Sequence, residues 1–370
     1  MNYQFLILQA IGIILVVTGH RGGISFFDDW FPMYSFHMPM FVFISGYFYK
    51  TYSEQKIKEF FLKKVKHLVF PYFLWNFFYG IISTILIYNH FTFFPDSLNL
   101  KSFLIDPWIW AGQFMLNQSA WFVLSLFLVQ VLYVVFRKVC SKGIFNNDYL
   151  KMILLLCIGV LSVVYANKGY NYSWYLTVVR TLFLLPFYHI GYLYKAKLEI
   201  KDCLNNVVYF ISLFFIQYLL LRKYGNLSFT AVHCNDFNQD NVLLPYITSI
   251  TGIMFWLRIS KILVPSLQHS KAIYLVGTNT FSIMMHHFLI FFILNFSICF
   301  LTELTGSGAF DYEAFRTNGW YIPEDGFFRF FYSLAGIIGP IYINTLLQKI
   351  KKFILLHLKI ETKKLNLYKG

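Results

Sequence analysis

The sequence predicts an all-α polytopic integral membrane protein of about ten transmembrane helices, with both termini cytoplasmic. Three observations carry that expectation. Of the 370 residues, 58% are hydrophobic and only 13% charged, whereas a soluble domain is about 45–50% apolar and about 25% charged. Apolar runs recur along the whole chain at lengths near the roughly 17–25 residues that cross about 30 Å of hydrocarbon. The basic residues are sorted: 23 of the 31 Lys and Arg fall in alternate connecting segments, as the positive-inside tendency requires. This composition excludes a disordered chain, a collagen-like fibre and a cytosolic enzyme.

Taken in order, the spans are 3–20, 32–49, 68–89, 119–136, 151–167, 175–194, 206–221, 243–258, 272–300 and 328–348. The first lacks a basic leader and a small-x-small cleavage site, so it reads as a retained helix rather than a signal peptide. The eighth is short and begins beside Pro245, which predicts tilting or partial unwinding. The ninth is long enough to tilt or to run past the bilayer. Residues 1–348 form one transmembrane domain. The segment 349–370 reads as a basic amphipathic tail along the cytoplasmic surface.

The net charge of +14 is therefore mainly a statement about sidedness, and nucleic-acid binding is not expected. The basic-rich segments are 50–67, 137–151, 194–205, 258–271 and 348–370; the opposite segments hold Arg21, Lys101, Lys168, Arg222, Lys223 and Arg316. Arg180 and Arg329 lie near the opposite ends of their helices. The five cysteines show no CxxC or ligand spacing, so neither a disulfide framework nor a metal site is expected. Four Asn-x-Ser/Thr matches, at Asn117, Asn171, Asn226 and Asn295, are at the level of chance.

Ionisable groups inside a membrane are costly and mark functional sites by default. Imidazoles occur in four spans: His20 in AIGIILVVTGH, His37 in FHMPMFVFISGYFYK, His189 in LLPFYHIGYLY, and His286 with His287 in TFSIMMHH. Each alone can be a hydrogen-bonded packing residue. Together they place proton-transfer groups that titrate near neutral pH in or near the membrane. Gln9 lies eleven residues before His20; at about 100° per residue the two share a face, about 16 Å apart along the axis. That stripe suits a long ligand running through the bundle. Lys63, Lys64 and Lys66 precede the third span, where they anchor the helix by charge and can hold phosphate as point charges.

AIGIILVVTGH, FHMPMFVFISGYFYK and KKVKHLVFPYFLW, in this order and spacing, resemble the acyltransferase-3 family of integral-membrane acyltransferases. The likeness is greatest to members similar to fucose 4-O-acetylase and other surface-polysaccharide O-acetyltransferases. It extends along nearly the whole chain, with weaker echoes in SAWFVLSLFLVQ, LLPFYHIGYLY and TFSIMMHH. It implies an acetyl-CoA cosubstrate on the cytoplasmic side of a bacterial cell membrane, no metal, and transfer to a hydroxyl of a cell-surface or lipid-linked glycan. Membrane lipids and the glycan biosynthesis machinery are the implied partners. His20 matches the family's first-helix catalytic histidine, and Gln9 stands where Arg or Lys is expected, a departure that removes a positive charge. Lys64 and Lys66 match an Arg-x-Arg motif with lysines, which keeps charge and loses bidentate recognition. His287 aligns with a recurrent histidine of the penultimate helix.

On that chemistry His20 is the general base, and Ser45, Tyr47 or His37 supplies a donor to the oxyanion. Gln9, Lys63, Lys64 and Lys66 line the cosubstrate path. The alternative function is a transporter or flippase for a lipid-linked glycan, although transporters often show internal repeats and none is visible. A non-catalytic sensor or assembly factor on the same scaffold is the third reading.

Overall fold

The computed structural model describes residues 2–20, 27–110, 114–306, 310–322 and 326–367, with side chains up to residue 355 and from residue 329 in the last helix. Arg21 and residues 368–370 of the expected tail lie outside these, as do the side chains of 356–367. Among the described residues there are helices and turns and no strand. Helix α1 is Tyr3–Gly19 and α2 is Met33–Tyr47. Next come α3, Ile57–Tyr88, and α4, Trp121–Val139, which continues a 3-10 turn over Met115–Ala120. Helices α5 and α6 are Asp148–Asn167 and Ser173–Leu193, and α7 and α8 are Asn206–Tyr224 and Leu244–Leu267. The chain ends with α9, Lys271–Thr278, α10, Thr280–Thr305, and α11, Gly326–Leu367.

Among the described residues eight helical stretches are long and apolar enough to cross a membrane. The shorter α1 and α2 sit inside the bundle, with almost every apolar side chain buried. The chain is thus an all-α, multi-pass membrane protein. Lipid-facing residues such as Ile211 and Phe215 of α7 stay exposed, as a bilayer allows.

Local chemistry sets the helix ends. The side chain of Asn2 caps α1 by accepting from the Phe5 amide at 3.3 Å, and Asp28 accepts from the Met33 amide at 2.7 Å to start α2. The structure departs from the expected spans in four places. The eighth span, expected to be short and tilted or partly unwound beside Pro245, forms the continuous 24-residue α8, because a proline in the first turn of a helix costs no hydrogen bond. Helix α3 begins at Ile57 rather than near residue 68, and it widens into a π turn over Val65–Val69. Pro71 follows that turn; it has no N–H to give, and its ring clashes with the carbonyl four residues back, so the widened turn relieves both. The ninth span is broken at Asn279 into α9 and α10. The last helix does not stop at residue 348 but continues to Leu367.

Ion pairs join the basic-rich segments at one end of the bundle. Arg137 holds Glu54 at 2.6 Å and Asp148 at 3.2 Å, while Lys261 and Arg258 both hold Asp202. Hydrogen bonds join the opposite segments at the other end: Thr92 to Arg316 at 2.9 Å, and Asn167 to the Asn238 carbonyl at 3.2 Å. The two sets of loops that the charge pattern separates are therefore also separate in space.

Candidate active site

At the basic end a cavity of about 510 Å³ opens between α1, α2, α3, α4 and the start of α10. That is within the range of small-molecule sites, about 300–1,000 Å³. Gln9, Ile13 and Val16 of α1 line one wall. They are spaced by four and three residues, so they form one face of the helix, and His20 continues that face one turn beyond Val16. The mouth is formed by Lys50, Lys56, Lys63 and Lys64, with Glu59 among them. Lys56 is neutralised locally by Glu59 at 3.0 Å. The remaining walls include Met38, Phe41, Phe122 and Met284, with Ser45, Tyr49, Tyr188 and Thr280 among the polar groups.

Of the residues predicted to bind cosubstrate, Gln9, Lys63 and Lys64 line this cavity, and Lys66, on the π turn, does not. Of the predicted catalytic group, Ser45 lines it. The Ser45 hydroxyl accepts from Gln130 Nε2 at 2.7 Å. His20 and His287 sit past its closed end and meet each other, ring centroids 5.3 Å apart and nearly parallel. Trp320 and Phe288 pack on His20 at 5.6 and 4.8 Å. His287 donates from Nδ1 to the Ile283 carbonyl at 2.8 Å, which makes Nε2 its basic nitrogen. His37 is buried one turn into α2, where its Nδ1 donates to the Met33 carbonyl and Tyr34 packs edge-on. It stands beside the cavity-lining Met38 without lining the cavity itself.

The other two imidazoles are packing groups. His189 donates from Nε2 to the Asp148 carbonyl at 2.8 Å, so its Nδ1 accepts from the Tyr133 hydroxyl, also at 2.8 Å. His286 is hydrogen-bonded to the Tyr79 hydroxyl at 2.7 Å and edges onto Trp75. Among the described residues no three His, Cys, Asp or Glu side chains gather as a metal site.

Sequence reasoning did not single out Arg137. It braces the mouth: bonded to Glu54 and Asp148, it also lies over the Tyr192 ring at 4.2 Å. Its partners are 83 and 11 residues away, so only its place at the end of a span could have drawn attention to it.

The arrangement is a shaft with cations at its mouth, an apolar middle and two stacked imidazoles past its far end. An acyltransferase-domain model of the acyltransferase-3 type matches residues 2–343. No curated protein and no solved structure matches the chain.

Proposed function

Because this chain belongs to the acyltransferase-3 family of membrane acyltransferases, we propose that it moves an acetyl group from acetyl-CoA to a hydroxyl of a cell-surface or lipid-linked glycan. The observation that supports this reading is that the cavity runs from the lysine mouth along Gln9, Ile13 and Val16, and that His20 continues the same helix face one turn beyond Val16, outside the cavity lining. The coenzyme's phosphates rest at Lys63 and Lys64, which hold them as point charges. Its uncharged arm follows the apolar shaft, and the thioester arrives near His20. The basic end then faces the cytoplasm of a bacterial cell, and both termini lie on that side.

A thioester is already activated, so the protein's tasks are to position the acceptor hydroxyl and to take its proton. His20 accepts that proton as the hydroxyl oxygen attacks the thioester carbonyl. The tetrahedral oxyanion collapses, the C–S bond breaks, and the thiolate is reprotonated by the imidazolium. A positioned base of this kind contributes about 10²–10⁴-fold. His287 stacks on His20 and holds the ring's orientation.

The test is glycan O-acetylation, read by NMR in cells making the wild type, a deletion, or the deletion complemented with His20→Ala. Acetate should be lost in both mutants with total glycan unchanged. Intact acetylation in the deletion, with glycan export reduced, would overturn the enzyme reading in favour of a transporter.

A further inference from the structure

Three arginines of the bundle are almost wholly buried: Arg137 is 6% exposed, Arg258 4% and Arg180 2%. Removing a guanidinium from water is costly unless it is paired and hydrogen-bonded. The fold meets that cost twice with carboxylates, at Glu54 and Asp148 for Arg137 and at Asp202 for Arg258. Arg180 is different. None of the ion pairs among the described residues includes it. Its Nη1 donates to the Val232 carbonyl at 3.1 Å, its guanidinium lies over the Trp121 ring at 4.9 Å, and its Nε–H is buried with no acceptor. Arg258 also keeps a bare Nε, so the absent carboxylate is what sets Arg180 apart. The titratable groups that feel its charge are Tyr72, Cys234 and His233. All are uncharged near neutral pH. Burial pushes the Cys234 thiol up to about 12, and burial followed by Arg180 itself pushes the His233 imidazole down.

The register of the bundle places this cation. Gly46 of α2 lies against the Tyr188 backbone of α6. Both helices start at the end opposite the lysines, so eight residues back Arg180 is level with Met38, a residue of the cavity wall. Trp121, whose ring it faces, directly precedes the cavity-lining Phe122 and Val123. Two residues earlier, Ser119 donates to the carbonyl of Met284, one turn from His287 on α10. Val232, whose carbonyl accepts from Arg180, belongs to the connection 225–243 at the end of the bundle opposite the lysine mouth.

We propose that Arg180 is an anion-binding residue of the acceptor site, holding a carboxylate or phosphate of an acidic glycan acceptor while Trp121 offers a ring face beside it. The inference rests on the acyltransferase reading in one respect: the donor's phosphates are taken by the lysines at the other end, and the thioester arm carries no charge. An anion at Arg180 therefore belongs to the acceptor. The guanidinium fork suits both a carboxylate and a phosphate. On entering, the anion replaces the Val232 carbonyl at Nη1 and fills the Nε donor that is now unused.

The test uses the purified full-length protein, its Arg180→Gln and Arg180→Lys variants, and thermal stabilisation by added probes. The probes are digalacturonate, polyprenyl phosphate, neutral galactobiose and acetyl-CoA. At least one anion should stabilise the wild type more than galactobiose does, and which one does so separates a sugar carboxylate from a lipid-borne phosphate. Arg180→Gln should weaken that anion about 10- to 100-fold, the range of a lost charged hydrogen bond, and leave galactobiose and acetyl-CoA unchanged. If Arg180→Gln does not fold, Arg180→Lys decides: lower affinity for the anion alone supports the proposal, and unchanged affinity overturns it. It is also overturned if neither anion stabilises the wild type, or if all probes weaken alike. Absence of acetyl-CoA stabilisation in the wild type would instead count against the donor assignment, with the anion result standing by itself.

Discussion

His20 and His286 are both imidazoles in membrane helices, yet their surroundings separate them. His286 is tied to the Tyr79 hydroxyl and packed by Trp75, and His189 has both ring nitrogens bonded. Replacing His189 by Ala should strand the Tyr133 hydroxyl and the Asp148 carbonyl and cost about 1–3 kcal/mol of stability for each unsatisfied group. Activity per folded molecule should survive; a melting curve beside an activity assay normalised to folded protein reads both. An activity loss as deep as that of His20→Ala would refute the division. The lysines are tested separately. Lys63→Ala with Lys64→Ala should raise KM for acetyl-CoA about tenfold with kcat little changed, the mark of lost ground-state binding. Lys66→Ala, outside the cavity, should do much less, and an equal effect would displace the phosphates from the site assigned to them. The sequence could nominate all of these side chains, because a polar residue in an apolar run is conspicuous. The sequence, with the resemblance it carries, already set His20, His37 and His287 apart from His189 and His286. What it could not name were the hydroxyls that hold the latter two, since Tyr133 and Tyr79 lie 56 and 207 residues from them.

At the scale of elements, α2 and α6 approach at backbone distance behind the Ser45 and Tyr188 wall of the shaft. A Cβ added to Gly46 would sit 1.9 Å from the Tyr188 carbonyl oxygen, and one added to Gly191 would sit 1.9 Å from that of Phe43. Neither neighbour is a flexible side-chain tip, so the helices themselves would have to separate. Small residues that let membrane helices meet closely are a general device. Gly46→Ala or Gly191→Ala should each destabilise the protein by about 1–3 kcal/mol, as overpacking does. Both should also disturb the Ser45 and Tyr188 wall. Thermal melting of the purified variants checks this, and a melting point equal to the wild type's would show that the helices can part at no cost. The glycines are plain in the sequence, but their contact is not, because it joins elements more than 140 residues apart. The same limit applies to α3. Its first turns carry Lys58, Lys63 and Lys64, so hydropathy ends the span near residue 68 although the helix begins at Ile57.

For the whole molecule, the fold was legible because lipid imposes one rule on every spanning segment: its backbone must satisfy itself, and its side chains must be apolar. What hydropathy could not reach were the breaks and joins set by single residues, such as Asn279 between α9 and α10, and the ion pairs of Arg137 and Arg258. Those joins give the sidedness of the bundle a physical test. Cys203 is exposed beside Asp202, in the segment that pairs with Arg258 and Lys261. Cys234 is buried at the opposite end with its thiol pushed up to about 12, so little thiolate exists there to react. In single-cysteine variants, a membrane-impermeant maleimide should label Cys203 in inverted vesicles and not in right-side-out ones. Cys234 should stay unlabelled in both until the protein is denatured. Labelling of Cys203 from the outside would turn the lysine mouth away from the cytosol. A phosphate-bearing thioester made in the cytosol could not then enter there, and the donor path along α1 would have to be abandoned even if His20 proved essential.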